Sequence, residues 1–133
     1  MLQVGKEAAQ KQGLTNMKFV VGDAANISLK ENSFDVVISR LAFHHMLNPE
    51  RIFSEMKKVL KPSGKLVLID MEAASEELRN TEDEIEKLRD YSHVKNLSKK
   101  EMLSLYENEK LEVLKCESTK IPVSIEAWME LTK

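Results

Sequence analysis

The chain has 133 residues, 42% apolar and 32% charged, which suits one domain with a modest core and excludes a disordered composition. Its formal net charge of -2 leaves no basic excess for neutralising nucleic-acid phosphates. A single cysteine, Cys116, excludes an internal disulfide framework and fits a reducing, cytoplasmic setting; no segment forms a signal-peptide core or approaches the ~20 apolar residues of a membrane span.

Residues 1–12 read as a helix closed by Gly13, with Leu14 placed for the usual apolar contact behind a glycine cap. Met17 to Gly22 and Phe34 to Ser39 are short apolar runs without alternation, the mark of strands buried on both faces in a parallel sheet. Asn48-Pro49-Glu50 signals a helix start, and Ile52, Phe53, Met56, Val59 and Leu60 share one face of a helix over 48–61. Lys57, Lys58 and Lys61 crowd its last turn, and Pro62 stops it. Ser63-Gly64 then turns the chain into a third buried strand ending near Asp70. Strand, helix and strand with tight turns make a right-handed crossover between parallel strands.

Beyond residue 72 the pattern is less regular. Ser75 to Tyr91 predicts an acidic surface helix with Leu78, Thr81, Ile85 and Leu88 on a narrow seam. Ser98-Lys99-Lys100-Glu101 is a capping box opening a helix through Tyr106, and 111–116 alternates imperfectly, as an edge strand would. Ser124 to Leu131 predicts a last short helix. The expectation is a single α/β domain, with 1–72 forming a ligand-side core and 73–133 adding helices and an edge strand.

In open parallel sheets the ligand sits beyond the carboxyl ends of the strands, which singles out Asp23 and Ser39. His44 and His45 follow the second strand and are candidates for proton transfer. A metal site is not expected, because adjacent histidines point apart, His93 stands alone, and no further ligand lies at the right spacing. Glu55 and Asp70 are expected to serve helix packing and turn capping. Glu82-Asp83-Glu84 is read as a solvated face, Cys116 as a buried small hydrophobe and Trp128 as core-facing.

With these elements placed, three segments carry a resemblance: Gly22-Asp23-Ala24-Ala25 with Leu29 and Asn32-Ser33-Phe34-Asp35-Val36-Val37; Arg40-Leu41-Ala42-Phe43-His44-His45; and Glu55-Met56-Lys57-Lys58-Val59-Leu60-Lys61-Pro62-Ser63-Gly64-Lys65-Leu66. In this order and spacing the chain resembles the class I S-adenosylmethionine-dependent methyltransferases, nearest the small-molecule group that includes ubiquinone/menaquinone biosynthesis enzymes. The resemblance implies a Rossmann-like, doubly wound, mainly parallel sheet and methyl transfer to a small molecule. It implies that Asp23 and Ala24 meet the adenine of S-adenosylmethionine, that Ser39, Arg40 and Leu41 line its methionine side, and that His44 and His45 line the acceptor.

The sequence departs from the family in two places. The Gly-rich turn after a first strand is missing, and so is the acid that ends the second strand and holds the ribose. The chain is thus expected to be a partial fold lacking the first two strands and the last one, truncated at both ends, binding the cofactor weakly or not at all. The bare strand edges this leaves predict a homodimer. A non-catalytic self-associating or partner-binding module derived from a methyltransferase is the competing expectation. A dinucleotide-binding oxidoreductase is disfavoured, since no Gly-x-Gly-x-x-Gly opens a helix here.

Overall fold

A computed structural model describes residues 2–130, except for the side chain of Met129. The expected helix boundaries at Met1 and Leu131 lie outside the described residues. Helix α1, Leu2–Lys11, ends as its sequence requires. Gly13 adopts φ +67°, its N–H donates to Gln10 O (3.0 Å), and Leu14 N–H donates to Ala9 O (2.9 Å). No atom would meet a Cβ at Gly13, so the glycine is there for its left-handed backbone.

The expected strand over 17–22 does not form. A strand exists only through a ladder, and among the described residues no strand pairs with this segment. Phe19 instead lies against Gly5 of α1, and Val20 and Val21 are exposed.

The crossover is as expected. Strand β1, Phe34–Arg40, runs parallel to β2, Leu60–Ile69, and α2, Pro49–Val59, connects them. Helix α2 stops earlier than predicted: Leu60 is already extended and pairs with Phe34 across a bulge before Val36. Gly64 makes that bulge possible, because a Cβ there would sit 2.6 Å from the Leu60 side chain and 3.0 Å from Asp35 O. Pro49 occupies the first turn, but the Asn48 side chain makes no capping bond.

Side chains alternate across β1 and β2, so each strand offers two faces. Val37, Leu66 and Leu68 meet a core of Phe43, Ile52, Phe53, Met56, Leu97 and Leu105. Phe53 is wholly buried, with Tyr106 edge-on at 4.8 Å and Phe43 at 6.4 Å. Burial pushes the Tyr106 phenol up, against an opposing pull from the Leu68 backbone. The other face is open: Val36, Ile38 and Ile69 are exposed. The expectation of strands buried on both faces therefore holds for one face only.

Helix α3, Arg79–Arg89, inverts its predicted orientation. Leu78, Ile85 and Leu88 point outward, while Asp83 is buried. The acidic run is thus not a solvated face: Asp83 pairs with His93, and Glu82 accepts from the Ala74 N–H. Helix α4, Lys99–Asn108, starts with the predicted capping box. Residues 111–116 form no strand, and Cys116 is exposed rather than buried. Helix α5, Ile125–Glu130, places half-buried Trp128 under the Arg89 guanidinium, 5.8 Å from the ring centre.

Candidate functional site

Parallel β1 and β2 end side by side, with Ser39 opposite Leu68 and Arg40 opposite Ile69. The chain leaves β1 through Leu41, whose φ of +51° is strained for a leucine and whose N–H still donates to Ile69 O (2.8 Å). This turn folds residues 42–44 back over the end of β2, where Asp70 waits. Asp70 Oδ2 accepts from the backbone N–H of Ala42 (3.0 Å) and Phe43 (2.7 Å). Its Oδ1 accepts from Met71 N–H (2.8 Å) and lies 2.6 Å from His44 Nδ1. The expected turn-capping role of Asp70 is therefore present, but the imidazole is a fourth partner that capping does not need.

The histidines do not behave as separate residues. The rings of His44 and His45 lie 4.0 Å apart, and His93 stacks on His44 at 5.7 Å. Each ring has an acidic neighbour. His44 faces Asp70, and His93 Nε2 lies 2.7 Å from Asp83 Oδ1, which also accepts from Asn96 N–H (2.9 Å). His45 Nδ1 meets Ser92 Oγ at 3.1 Å, its Nε2 lies 4.0 Å from Asp90, and the Ser92 hydroxyl donates to Asp90 (2.6 Å). The Ser92 hydroxyl and N–H hold the Asp90 carboxyl below the usual carboxylate range. Among the described residues no cluster of three His, Cys, Asp or Glu side chains can hold a metal.

The Asp23 loop is brought to the same end of the sheet. A helix that follows a strand begins at that strand's carboxyl end, so the first turns of α2 lie there. Arg51 Nε donates to Ala25 O (2.7 Å) and Glu55 Oε2 accepts from Ile27 N–H (2.8 Å), clamping the loop. Glu55 is thus a loop clamp rather than the helix-packing residue expected. Within the loop Asp23 Oδ1 accepts from Ala25 N–H (2.9 Å). Among the described residues Asp23 Oδ2 and the Ala24 N–H have no hydrogen-bond partner. One acceptor beside one donor is the pair an adenine edge needs, so the residues present fit that end of the nucleoside.

The predicted residues thus separate into groups. Asp23 and Ala24 stand on the clamped loop, Ser39 and Arg40 on the strand end, Leu41 on the turn, and His44 and His45 on the ring stack. Arg40 is exposed and makes no ion pair among the described residues. Sequence reading missed Arg51, Asp83, Ser92 and Asp90 as parts of this end. A cavity of about 240 Å³ lies between Met46, Pro49, Val94, Lys95, Leu97 and Leu105. A larger one of about 590 Å³ sits by the last turn of α2. There Lys57 and Lys61 already pair with Glu109 (3.8 Å) and Asp35 (2.8 Å), which leaves little charge to recruit a ligand.

Comparison with known proteins fits this geometry. A family model described as a methyltransferase domain matches residues 1–122, and the chain belongs to that family. The uncharacterized protein YafE of Escherichia coli is 32% identical over 97% of this chain and 63% of its own length. The uncharacterized methyltransferase YcgJ of Bacillus subtilis is 28% identical over 98% of this chain and 52% of its own. The YcgJ crystal structure superimposes with a TM-score of 0.90 at 27% identity, covering 98% of this chain and 56% of that one. A demethylmenaquinone methyltransferase from Geobacillus is 34% identical over 53% of this chain and 30% of its length. The fold is therefore that of the class I methyltransferases, and the chain spans about half the length of the curated relatives it matches. Among the described residues no helix is long and apolar enough to cross a membrane.

Proposed function

We propose that this chain is a methyl-transfer domain that takes S-adenosylmethionine as donor and a small molecule as acceptor. When bound, the donor supplies a methyl group on a positively charged sulfur whose departure as a thioether is already easy. The protein then contributes alignment and exclusion of water more than covalent chemistry. Asp23 would accept from the adenine amine while the Ala24 N–H donates to a ring nitrogen. Arg40 suits the donor's carboxylate, which a guanidinium can hold through two bonds. Ser39 and Leu41 border the same end, and His44 and His45 face the acceptor.

The observation that carries this reading is the clamped 22–27 loop. Arg51 and Glu55 hold it at the strand ends with an acceptor and a donor left free. The sequence has no Gly-rich turn of the family kind, so these residues alone should bind the donor at about millimolar affinity, near -4 kcal/mol. Backbone NMR of the 133-residue chain titrated with S-adenosylmethionine tests this. Saturable shifts at the Ala24 amide, abolished by Asp23→Ala, are expected. A 22–27 loop that stays silent while other residues respond would overturn the reading.

A second reading concerns assembly. The uncovered face of the sheet, with exposed Val36, Ile38 and Ile69, and the free edge of β1 favour pairing with a second copy into a two-fold dimer. Light scattering giving a monodisperse monomer at high concentration would remove it.

A further inference from the structure

We propose that His44 is a general base of the acceptor site, oriented by Asp70, and that the acceptor is a small molecule that loses a proton from oxygen or nitrogen as it is methylated. The clause on the acceptor rests on the methyl-transfer reading above. Three observations carry the base. First, Asp70 already accepts three backbone N–H groups on its two oxygens, so the loop needs no imidazole to satisfy it. With N–H donors on both oxygens, the proton of the 2.6 Å contact belongs on His44 Nδ1. This leaves the lone pair on Nε2, at the opposite edge of the ring.

Second, that Nε2 has no hydrogen-bond partner among the described residues, and the side chain keeps 8% of its surface exposed. The other two rings are committed differently. His93 keeps 1% of its side-chain surface and gives Nε2 to Asp83. The Ser92 hydroxyl donates to Asp90, so it can only accept from His45 Nδ1; that ring has a hydroxyl where His44 has the Asp70 carboxylate, and its Nε2 lies 4.0 Å from Asp90, beyond hydrogen-bond distance.

Third, His44 is held rigidly. Val94 and Lys95 N–H both donate to its carbonyl (2.8 and 3.1 Å), and its ring lies against His45 and His93. A base oriented by a third group and fixed at the carboxyl ends of two adjacent strands is the arrangement proton abstraction requires.

The step balances as follows. The acceptor's O–H or N–H proton passes to the lone pair of His44 Nε2. The electron pair left behind forms the bond to the methyl carbon. The carbon–sulfur bond of the sulfonium donor breaks, and its pair stays on sulfur. The imidazolium so formed keeps its Nδ1–H on the Asp70 carboxylate, and it returns the extra proton to water after release.

The test uses two measurements without S-adenosylmethionine. Acylation by diethyl pyrocarbonate, mapped by mass spectrometry, is expected to modify His44 several-fold faster than His93. Asp70→Asn is expected to slow His44 specifically, while Asp83→Asn leaves it unchanged. Equal rates for His44 and His93 in the unaltered chain overturn the base, even if the variants fold poorly. The acceptor class is read by titrating phenol and its methyl ether against the His44 ring signals. A larger Nε2 response to phenol is expected, and an equal or absent difference overturns the class. Silence of the 22–27 loop toward the donor would instead strike the methyl-transfer reading and the acceptor clause that rests on it, and would leave the Asp70-oriented base standing.

Discussion

Helices α2 and α3 have eleven residues each, and both carry an apolar stripe and a charged one, yet they sit in opposite senses. Helix α2 buries Ile52, Phe53, Met56 and Val59 against the sheet. Helix α3 turns Ile85 and Leu88 outward, as it does its N-cap Leu78, and buries Asp83. The difference lies in what each helix finds opposite it. Helix α2 meets Val37, Leu66 and Leu68, a surface that only apolar side chains can match. Helix α3 meets His93, Asn96 and, through Arg79, Glu101, groups that would be left unsatisfied by leucine. Amphipathicity defines two faces, and the partner decides which one goes inside.

The largest effect should come from the apolar side of this comparison. Phe53→Ala removes a wholly buried ring from between Tyr106 and Phe43 and should cost about 3–5 kcal/mol, read as a fall in the urea midpoint. A loss under about 1 kcal/mol would mean that the core collapses around the gap or that α2 is not the main sheet cover.

On the polar side, Asp83→Ala strands the almost sealed His93 ring and orphans the Asn96 N–H, and should cost about 3 kcal/mol. Asp83→Asn keeps the shape and an acceptor and should cost less. Were the two variants equal to wild type in the same urea experiment, α3 would not be anchored by its charged face.

A smaller, pH-dependent effect comes from Glu101, which ties the start of α4 to α3 through Arg79 (3.1 Å) and to Lys95 (2.6 Å). Burial would raise its carboxyl, but Lys95 and the Ser98 N–H and hydroxyl outweigh burial and hold it at about 2 rather than 4.5. A carboxyl lowered on folding binds protons less tightly in the native state. Its contribution is therefore complete above about pH 4.5 and is lost as the pH falls through about 2. The stability difference between wild type and Glu101→Gln, followed by thermal melts, should shrink over that window. A difference that stays constant would show that Glu101 acts through geometry and not through charge.

The same contrast explains what could be read from the residues beforehand. The β1–α2–β2 crossover was legible because every local signal agreed: apolar runs, a proline-started helix and a closing turn. The strand over 17–22 was not, because an apolar run specifies a strand only when a neighbour supplies the ladder. The stripe on α3 was found, but its direction depends on His93 and Glu101, which lie outside the helix. At the site, Asp23 and Ser39 could be singled out as candidates from their places after apolar runs, and Arg40 only through the family resemblance. The His44–Asp70 pair, 26 residues apart, was not, since spacing along the chain says nothing of which strand ends lie side by side. Likewise Arg51 and Glu55 looked like ordinary helix residues until the loop they clamp was in view.

The smallest expected effect is the sharpest test of the inverted helix. Leu88 is 86% exposed, so Leu88→Lys removes little buried apolar surface. The new lysine would lie four residues after Glu84, in the order that favours an ion pair along a helix, worth about 0.2–0.5 kcal/mol. The net change in urea stability should therefore stay within about 0.5 kcal/mol, as for other surface positions. Met56→Lys on α2, by contrast, places a charge in the core and should abolish cooperative folding. If Leu88→Lys were to cost more than about 1 kcal/mol, the outer stripe of α3 would have to be covered in solution. Repeating the measurement over a range of protein concentrations then separates the two sources of cover. A cost that disappears on dilution belongs to a second copy, and one that persists belongs to a contact within the chain.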